Sequence, residues 1–226
     1  VLSIGLLYPD LLGTYGDGGN ATVLAARARA RQIPVDIVAV RSGDELIDAD
    51  LYLVGGGEDG PQRQATELLR ATSFTRRVDD GAVVFAVCAG LQILGESFAV
   101  EGDESYEGLG CVSAVTTRGP QRRVGEMATT VGTHTLVGFE NHGGLTTLGA
   151  EVAPLGTVVA GYGNDGVVDG YQWRNVLATY AHGPALALNP WLADLLLEKA
   201  LGHEVAPLPT VADALYRERV AALLAN

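Results

Sequence analysis

The chain of 226 residues carries 15 Lys and Arg against 27 Asp and Glu, a formal charge of −12, with 47% hydrophobic and 19% charged residues. That balance belongs to an ordinary globular chain with a sizeable core, and it excludes binding to a phosphate backbone, which needs clustered cations to release counterions. No nucleic-acid partner is expected, and no stretch approaches the roughly 18 consecutive apolar residues that span a bilayer. The first apolar run, Val1 to Tyr8, lacks the basic n-region and cleavage site of a secretory signal. With only two cysteines, Cys88 and Cys111, and no paired spacing, a cytoplasmic, reducing environment is expected.

The first half reads as alternating strands and helices. Apolar, β-branched runs at Leu2 to Leu7, Val35 to Val40, Leu51 to Val54 and Ala82 to Val87 have the length of buried parallel strands. Stretches rich in Ala, Leu and Arg predict helices from Asn20 to Gln32 and from Gln62 to Ala71. This order predicts an α/β fold, a doubly wound, mostly parallel sheet with helices on both faces. Ligands of such sheets bind beyond the carboxyl ends of the strands, where Tyr8 to Asn20, Gly55 to Pro61 and the turn at Cys88 should meet. An amphipathic stretch follows at Leu91 to Phe98. From Gly108 to about His182 the chain becomes β-rich, with runs at Val112 to Thr117, Thr135 to Phe139, Thr157 to Tyr162 and Val176 to Tyr180 that read as antiparallel strands and hairpins. Two helices close the chain, Pro190 to Leu201 with Asn189 as N-cap and Gly202 as stop, and Val211 to Leu224. Without repeats or linkers, one domain over residues 1–226 is expected.

Cys88 ends a run of apolar residues, Ala82-Val-Val-Phe-Ala-Val-Cys88, and meets the small pair Ala89-Gly90. That is a strand turning sharply into a helix, the logic of a nucleophile elbow. There the helix N-terminus aims unpaired N–H groups and a positive dipole at the side chain, favouring thiolate, the reactive form. A structural cysteine buried at a strand end is the competing reading. Among the four histidines, His182 is the best placed partner, because it follows the apolar run Val176 to Ala181 and precedes Gly183-Pro184 at a second strand end. Its alternative is a hydrogen-bonded histidine at the rim.

The glycine-rich turn after Val54 can complete an oxyanion hole with the N–H of Ala89. Gln92 and the pair Arg122-Arg123 suit the polar ends of an amino-acid substrate, although a solvated hairpin tip would also explain the arginines. Asn141 and His142, crowded with Gly143-Gly144, either order a loop or line the site. Asp17 and Asn20 either turn the chain and cap the next helix or serve the site. No metal-ligand spacing and no P-loop is present, so neither metal nor cofactor is expected in this chain.

Five segments in order, Tyr8-Pro-Asp-Leu-Leu-Gly-Thr-Tyr-Gly-Asp-Gly-Gly-Asn20, Val54-Gly-Gly-Gly-Glu-Asp59, Val87-Cys-Ala-Gly-Leu-Gln-Ile-Leu-Gly95, Val137-Gly-Phe-Glu-Asn-His-Gly-Gly144 and Ala178-Thr-Tyr-Ala-His-Gly183, carry a family resemblance. Together they resemble class I glutamine amidotransferase domains of the cobyric acid synthase type, and among these the glutaminase subunits of lipid II isoglutaminyl synthases. The resemblance implies that Cys88 attacks the side-chain amide of L-glutamine, with His182 as acid and base. It also implies Gly56 and Ala89 as oxyanion donors and Arg122 as a glutamine-binding residue. The family's partner, in a heterodimer, resembles a Mur ligase and uses ATP and Mg²⁺ to activate the D-glutamate α-carboxyl of the lipid II stem peptide, so the complex would visit the inner membrane leaflet. This chain has no room for that ligase, which implies a separate subunit.

One departure stands out. Most class I members carry a Glu two residues after the catalytic His, where this chain has Pro184. The triad is therefore expected to be incomplete, with His182 oriented by a carboxylate of the partner or working with Cys88 as a dyad. Another cobyric-type amidotransferase, a stand-alone cysteine amidase and a non-catalytic glutamine- or partner-binding module are the other readings.

Overall fold

The computed structural model describes residues 1–100 and 104–224. The strands β1 (Leu2–Leu7), β2 (Val35–Val40), β3 (Leu51–Val54) and β4 (Val83–Val87) form where the apolar runs predict them. Every residue of β3 and β4 is buried, as central strands covered on both faces require. Between these strands lie α1 (Gly19–Ala30), α2 (Asp59–Arg70) and α3 (Phe74–Asp79), and β4 runs into α4 (Ala89–Leu94). The stretch Leu91 to Phe98 is not one amphipathic helix. All of α4 is buried, the helix stops at Gly95, where a Cβ would lie 2.6 Å from the Ala114 carbonyl oxygen, and the chain enters β5 (Ser97–Ala99).

The second half builds a second sheet from β5, β6 (Ser105–Glu107), β7 (Ala114–Val131), β8 (His134–Leu148), β9 (Gly156–Ala160) and β10 (Val168–Asp169). In place of short separate strands, β7 and β8 pair as one antiparallel hairpin, turned at Gly132 with φ 57° and interrupted between Arg118 and Arg123. β11 (Tyr171–Trp173) and β12 (Val176–Thr179) then return to the first sheet, whose order is β11-β12-β4-β3-β1-β2. The run at Val176 was expected as an antiparallel strand. It is antiparallel to β11 but parallel to β4, with Val176 opposite Val84, because four fully buried residues need a sheet interior on both sides.

The chain closes with α5 (Ala185–Leu188), α6 (Pro190–Leu201) and α7 (Val211–Leu224). α6 ends at Gly202 in the left-handed conformation and begins after Asn189 at the N-cap position, both as predicted, but the Asn189 side chain makes no capping hydrogen bond. Its buried amide instead accepts from the Val137 N–H at 2.9 Å and donates to the carbonyls of Val137 and Ala185 at 2.7 Å each, fastening the α5–α6 junction to β8.

β1 lies between β2 and β3, so the winding direction reverses there and the carboxyl ends of β1, β3, β4 and β12 share one edge. The helices form two groups, α1 with α5 and α6, and α2 with α3 and α4, as right-handed crossovers on either side of such a reversal require. At that edge α4 packs tightly against β3. The Gly90 N–H donates to the Gly55 carbonyl at 3.1 Å, and a Cβ at Gly90 would lie 2.3 Å from the Val54 oxygen. Gly90→Ala is therefore expected to cost about 1–3 kcal/mol of stability, read as a lower midpoint in urea unfolding.

Candidate active site

Four strand ends supply the site. At the end of β4, Cys88 takes φ 52° and ψ −103°, a backbone conformation that a residue with a Cβ adopts only under strain. Its N–H is held by the Thr179 carbonyl at 2.9 Å, which ties the elbow to the neighbouring end of β12. Although only 5% exposed, Cys88 lines a cavity of about 440 Å³ together with Ala89, Gln92, Arg122, Asn141 and His142. Cys111 is different: burial pushes its thiol up to about 11, and it lies outside the cavity.

At the end of β12, His182 is buried and held by backbone hydrogen bonds in both directions with Phe139. Its Nδ1 lies 3.1 and 3.2 Å from the two carboxylate oxygens of Asp17, 165 residues away in the sequence. The incomplete triad is thus corrected: a carboxylate of this same chain, delivered by the loop after β1, faces the imidazole. Burial opposes the charge on His182, but the Asp17 hydrogen bond and the Cys88 thiol beside it outweigh that and raise the imidazole from 6.5 to about 10. The Nε2 is buried and closes no hydrogen bond among the described residues. The Cys88 side chain is nonetheless among the groups that raise the imidazole, and hydrogen bonds of such pairs commonly tighten only when a substrate arrives.

The same carboxylate changes the reading of the glycine turn. Asp17 Oδ2 accepts the Gly56 N–H at 2.8 Å, so that N–H is committed and cannot serve an oxyanion. Gly57 lines the cavity and makes no such bond among the described residues, and the Ala89 N–H stands at the first position of α4, where no helical acceptor exists. What Gly56 contributes is room, because a Cβ there would lie 2.7 Å from His182 Cε1 and 3.1 Å from Asp17 Oδ2.

Gln92 Oε1 accepts from Gln62 Nε2 at 2.9 Å, and its Nε2 donates to the Tyr180 hydroxyl at 3.1 Å. Arg122 is on β7, not at a hairpin tip, and donates to Asn141 Oδ1 at 2.7 Å and to the Tyr15 hydroxyl at 2.9 Å. Arg123 turns away and covers the Tyr162 ring at 3.7 Å. His142 both lines the cavity and orders its wall, stacking on Tyr180 at 3.8 Å with its ring nitrogens on Gly144 O and Glu140 Oε2. Asn20 is not part of the site. It lies inside α1, outside the cavity, and accepts the Leu186 N–H at 2.9 Å, joining α1 to α5.

Residues 3–190 match the family model of the CobB/CobQ-like glutamine amidotransferase domain. The chain belongs to this family. This amidotransferase is 35% identical to the GatD subunit of the glutamine-hydrolyzing lipid II isoglutaminyl synthase of Staphylococcus aureus, over 88% of this chain and 84% of that protein. It is 34% identical to the same subunit of Streptococcus pneumoniae, over 96% and 88%. Among solved structures, a glutamine amidotransferase superposes with a TM-score of 0.63 at 23% identity, covering 87% of this chain and 98% of that one, which shows the class I amidotransferase-like α/β fold.

Sequence reasoning gave no role to Tyr15 or Glu58, which line the amidotransferase's cavity although both lie in segments that carry the family resemblance, and it treated Gly57 only as part of the glycine-rich turn. The raised His182 makes a pH signature. Its folded value near 10 exceeds the unfolded value near 6.5, so the native state holds the extra proton between them. The stabilisation is complete below pH about 6.5 and is lost as pH rises toward about 10. Urea unfolding across that window should show stability falling with pH, with a shallower slope in His182→Gln.

Proposed function

We propose that this chain hydrolyses L-glutamine at Cys88 and hands the ammonia to a Mur-ligase-like partner, which converts the D-glutamate α-carboxyl of the lipid II stem peptide to the amide of D-isoglutamine. One observation carries the chemistry: a strained cysteine at a strand-to-helix elbow beside an imidazole whose far nitrogen rests on a buried carboxylate. The isoglutaminyl synthase relatives, matched over most of their lengths, support the destination of the ammonia.

In this reading Cys88 attacks as thiolate, with its proton on His182, and forms a bond from Sγ to the amide carbon. The carbonyl oxygen becomes an oxyanion, stabilised by the N–H groups of Ala89 and Gly57. Collapse breaks the C–N bond as His182 protonates the leaving nitrogen, leaving a γ-glutamyl thioester and ammonia. His182 then takes a proton from water, the hydroxide adds to the thioester carbon, and the C–S bond breaks to release glutamate and return Cys88 as thiolate with the proton on His182. Asp17 never touches substrate. It is a positioning residue that keeps the proton on Nδ1 and the ring aimed at Sγ. The partner supplies ATP and Mg²⁺ and meets its lipid-linked substrate at the inner leaflet. Among the described residues of this chain, no helix is long and apolar enough to cross a membrane. Free ammonia is largely protonated at neutral pH and then no nucleophile, so transfer within a complex has a chemical motive.

Cys88→Ala should abolish glutamine-dependent amidation by the complex and spare ammonia-dependent amidation. Persistence of the glutamine-dependent reaction would reject the nucleophile. Asp17→Asn should lower kcat on the order of 10²–10⁴-fold, by analogy with triad aspartates. An unchanged rate would return the orienting role to a carboxylate of the partner.

A further inference from the structure

The β7–β8 ladder is broken beside the cavity. It stops at Arg123–His142 and resumes at Arg118–Gly144, so Gly143 of β8 stands opposite the whole stretch from Gly119 to Arg122 of β7. Such a bulge leaves its extra residues unpaired, and here they include Arg122, which lines the cavity. Asn141, His142, Gly143 and Gly144 line it from β8. Two successive glycines give this wall little stiffness of their own. Gly144 has no room for a side chain, because a Cβ there would lie 2.7 Å from Thr116 Cγ2 and 2.8 Å from Gln92 Nε2.

His142 spans the weak stretch. Its side chain is 1% exposed, with Nδ1 3.1 Å from the Gly144 carbonyl oxygen and Nε2 3.2 Å from Glu140 Oε2. A carbonyl oxygen only accepts, so Nδ1 carries a hydrogen. Glu140 Oε2 also accepts the Gly163 N–H at 3.0 Å, and a carboxylate only accepts, so Nε2 carries a hydrogen as well. Both bonds close at once only on an imidazolium, and a buried carboxylate such as Glu140 needs a paired cation. Two further groups face the ring. Tyr180 stacks on it at 3.8 Å, its phenol raised by burial and therefore neutral. Asp169 of β10 is held up to about 6 by burial, against its bonds from Thr179 and Tyr180, with His142 lowering it and Glu140 raising it.

We infer that His142 is a positioning residue, a doubly protonated ring that braces the cavity wall from Glu140 to Gly144 and keeps Asn141 and Arg122 in place for glutamine. The brace stands in for the ladder bonds that the bulge removes. Asn141 lies between Glu140 and His142 and fixes Arg122 by accepting its Nε–H at 2.7 Å. A shift of the wall therefore reaches the substrate through Arg122, while Cys88 and His182, held at other strand ends, keep their geometry. This rests on the glutaminase reading above and divides the labour of two histidines: His182 exchanges a proton during turnover, and His142 holds both of its own throughout.

The test uses the labelled chain together with its ligase partner. Histidine-selective ¹⁵N spectra should show both His142 nitrogens protonated from pH about 6 to about 8, assigned by the signals lost in His142→Gln. That variant should raise KM for glutamine roughly tenfold or more and leave kcat within about threefold, with iodoacetamide still alkylating Cys88 at the wild-type rate. Glu140→Gln should raise KM in the same way and leave one His142 nitrogen bare at pH about 8. If His142→Gln does not fold, elimination with His134→Gln, His182→Gln and His203→Gln assigns the wild-type signals, and Glu140→Gln supplies the kinetics. A bare His142 nitrogen in the wild-type complex overturns the brace. So does an unmoved KM in the variants, or a fall in kcat and in Cys88 alkylation at constant KM, and in each case the glutaminase reading stands. A wild-type complex that releases no glutamate from glutamine sinks the glutaminase reading itself, and the brace's service to glutamine with it.

Discussion

Asp17 is a carboxylate buried where water cannot satisfy it, and the site is organised by the donors it must find. A buried acceptor of this kind is tolerable only when hydrogen-bonded, and Asp17 has the Gly56 N–H and the His182 ring. Those two partners come from the ends of β3 and β12, and Asp17 from the loop after β1. One side chain therefore pins three strand ends to one another. The same contacts set the imidazole: with Nδ1 turned to the carboxylate, Nε2 is left toward the thiol, which is the orientation a general acid and base needs. They also explain why the position after Gly55 has to be glycine, since any Cβ there would push the ring off its carboxylate.

Much of the first sheet was legible because its signals are local. A run such as Val83 to Val87 has nowhere to go but a buried strand, and Ala89-Gly90 after Cys88 allows only a tight turn into α4. The long hairpin was less legible: β7 carries Arg118 to Arg123 and β8 carries Gly143 and Gly144, so half-exposed polar stretches interrupt the apolar runs and disguise one pair of strands as several short ones. Asp17 was legible as a residue that could serve the site, but its role as the orienting carboxylate of His182 was not. Its distance from His182 along the chain exceeds any motif, and a Gly-Asp-Gly-Gly run reads locally as a turn and helix start. Expecting the orienting acid near His182 in sequence assumed that geometry follows chain order, whereas convergent sites are assembled by strand ends. Gly56 fell to the same cause, because only the presence of Asp17 reveals that its N–H is taken.

The remaining constraint is how the second sheet, which carries Arg122 and Asn141, is kept in register with the first, which carries Cys88 and His182. The seam between them is polar. Tyr180, just past β12, receives a hydrogen bond from Gln92, pairs with Thr146 of β8 at 2.7 Å, and through it reaches Thr116 of β7 at 2.8 Å. Asp169, raised to about 6 by burial despite its bonds to the Thr179 hydroxyl and the Tyr180 N–H, sits behind the same junction. An apolar seam could slide by a fraction of an ångström at little cost. A chain of directional bonds in a low-dielectric interior cannot, because each displaced donor or acceptor would be left unpaired. The polar seam thus turns two separate sheets into a fixed distance between the thiol and the groups that face it across the cavity, and substrate positioning at Cys88 inherits its accuracy from side chains that never meet the substrate.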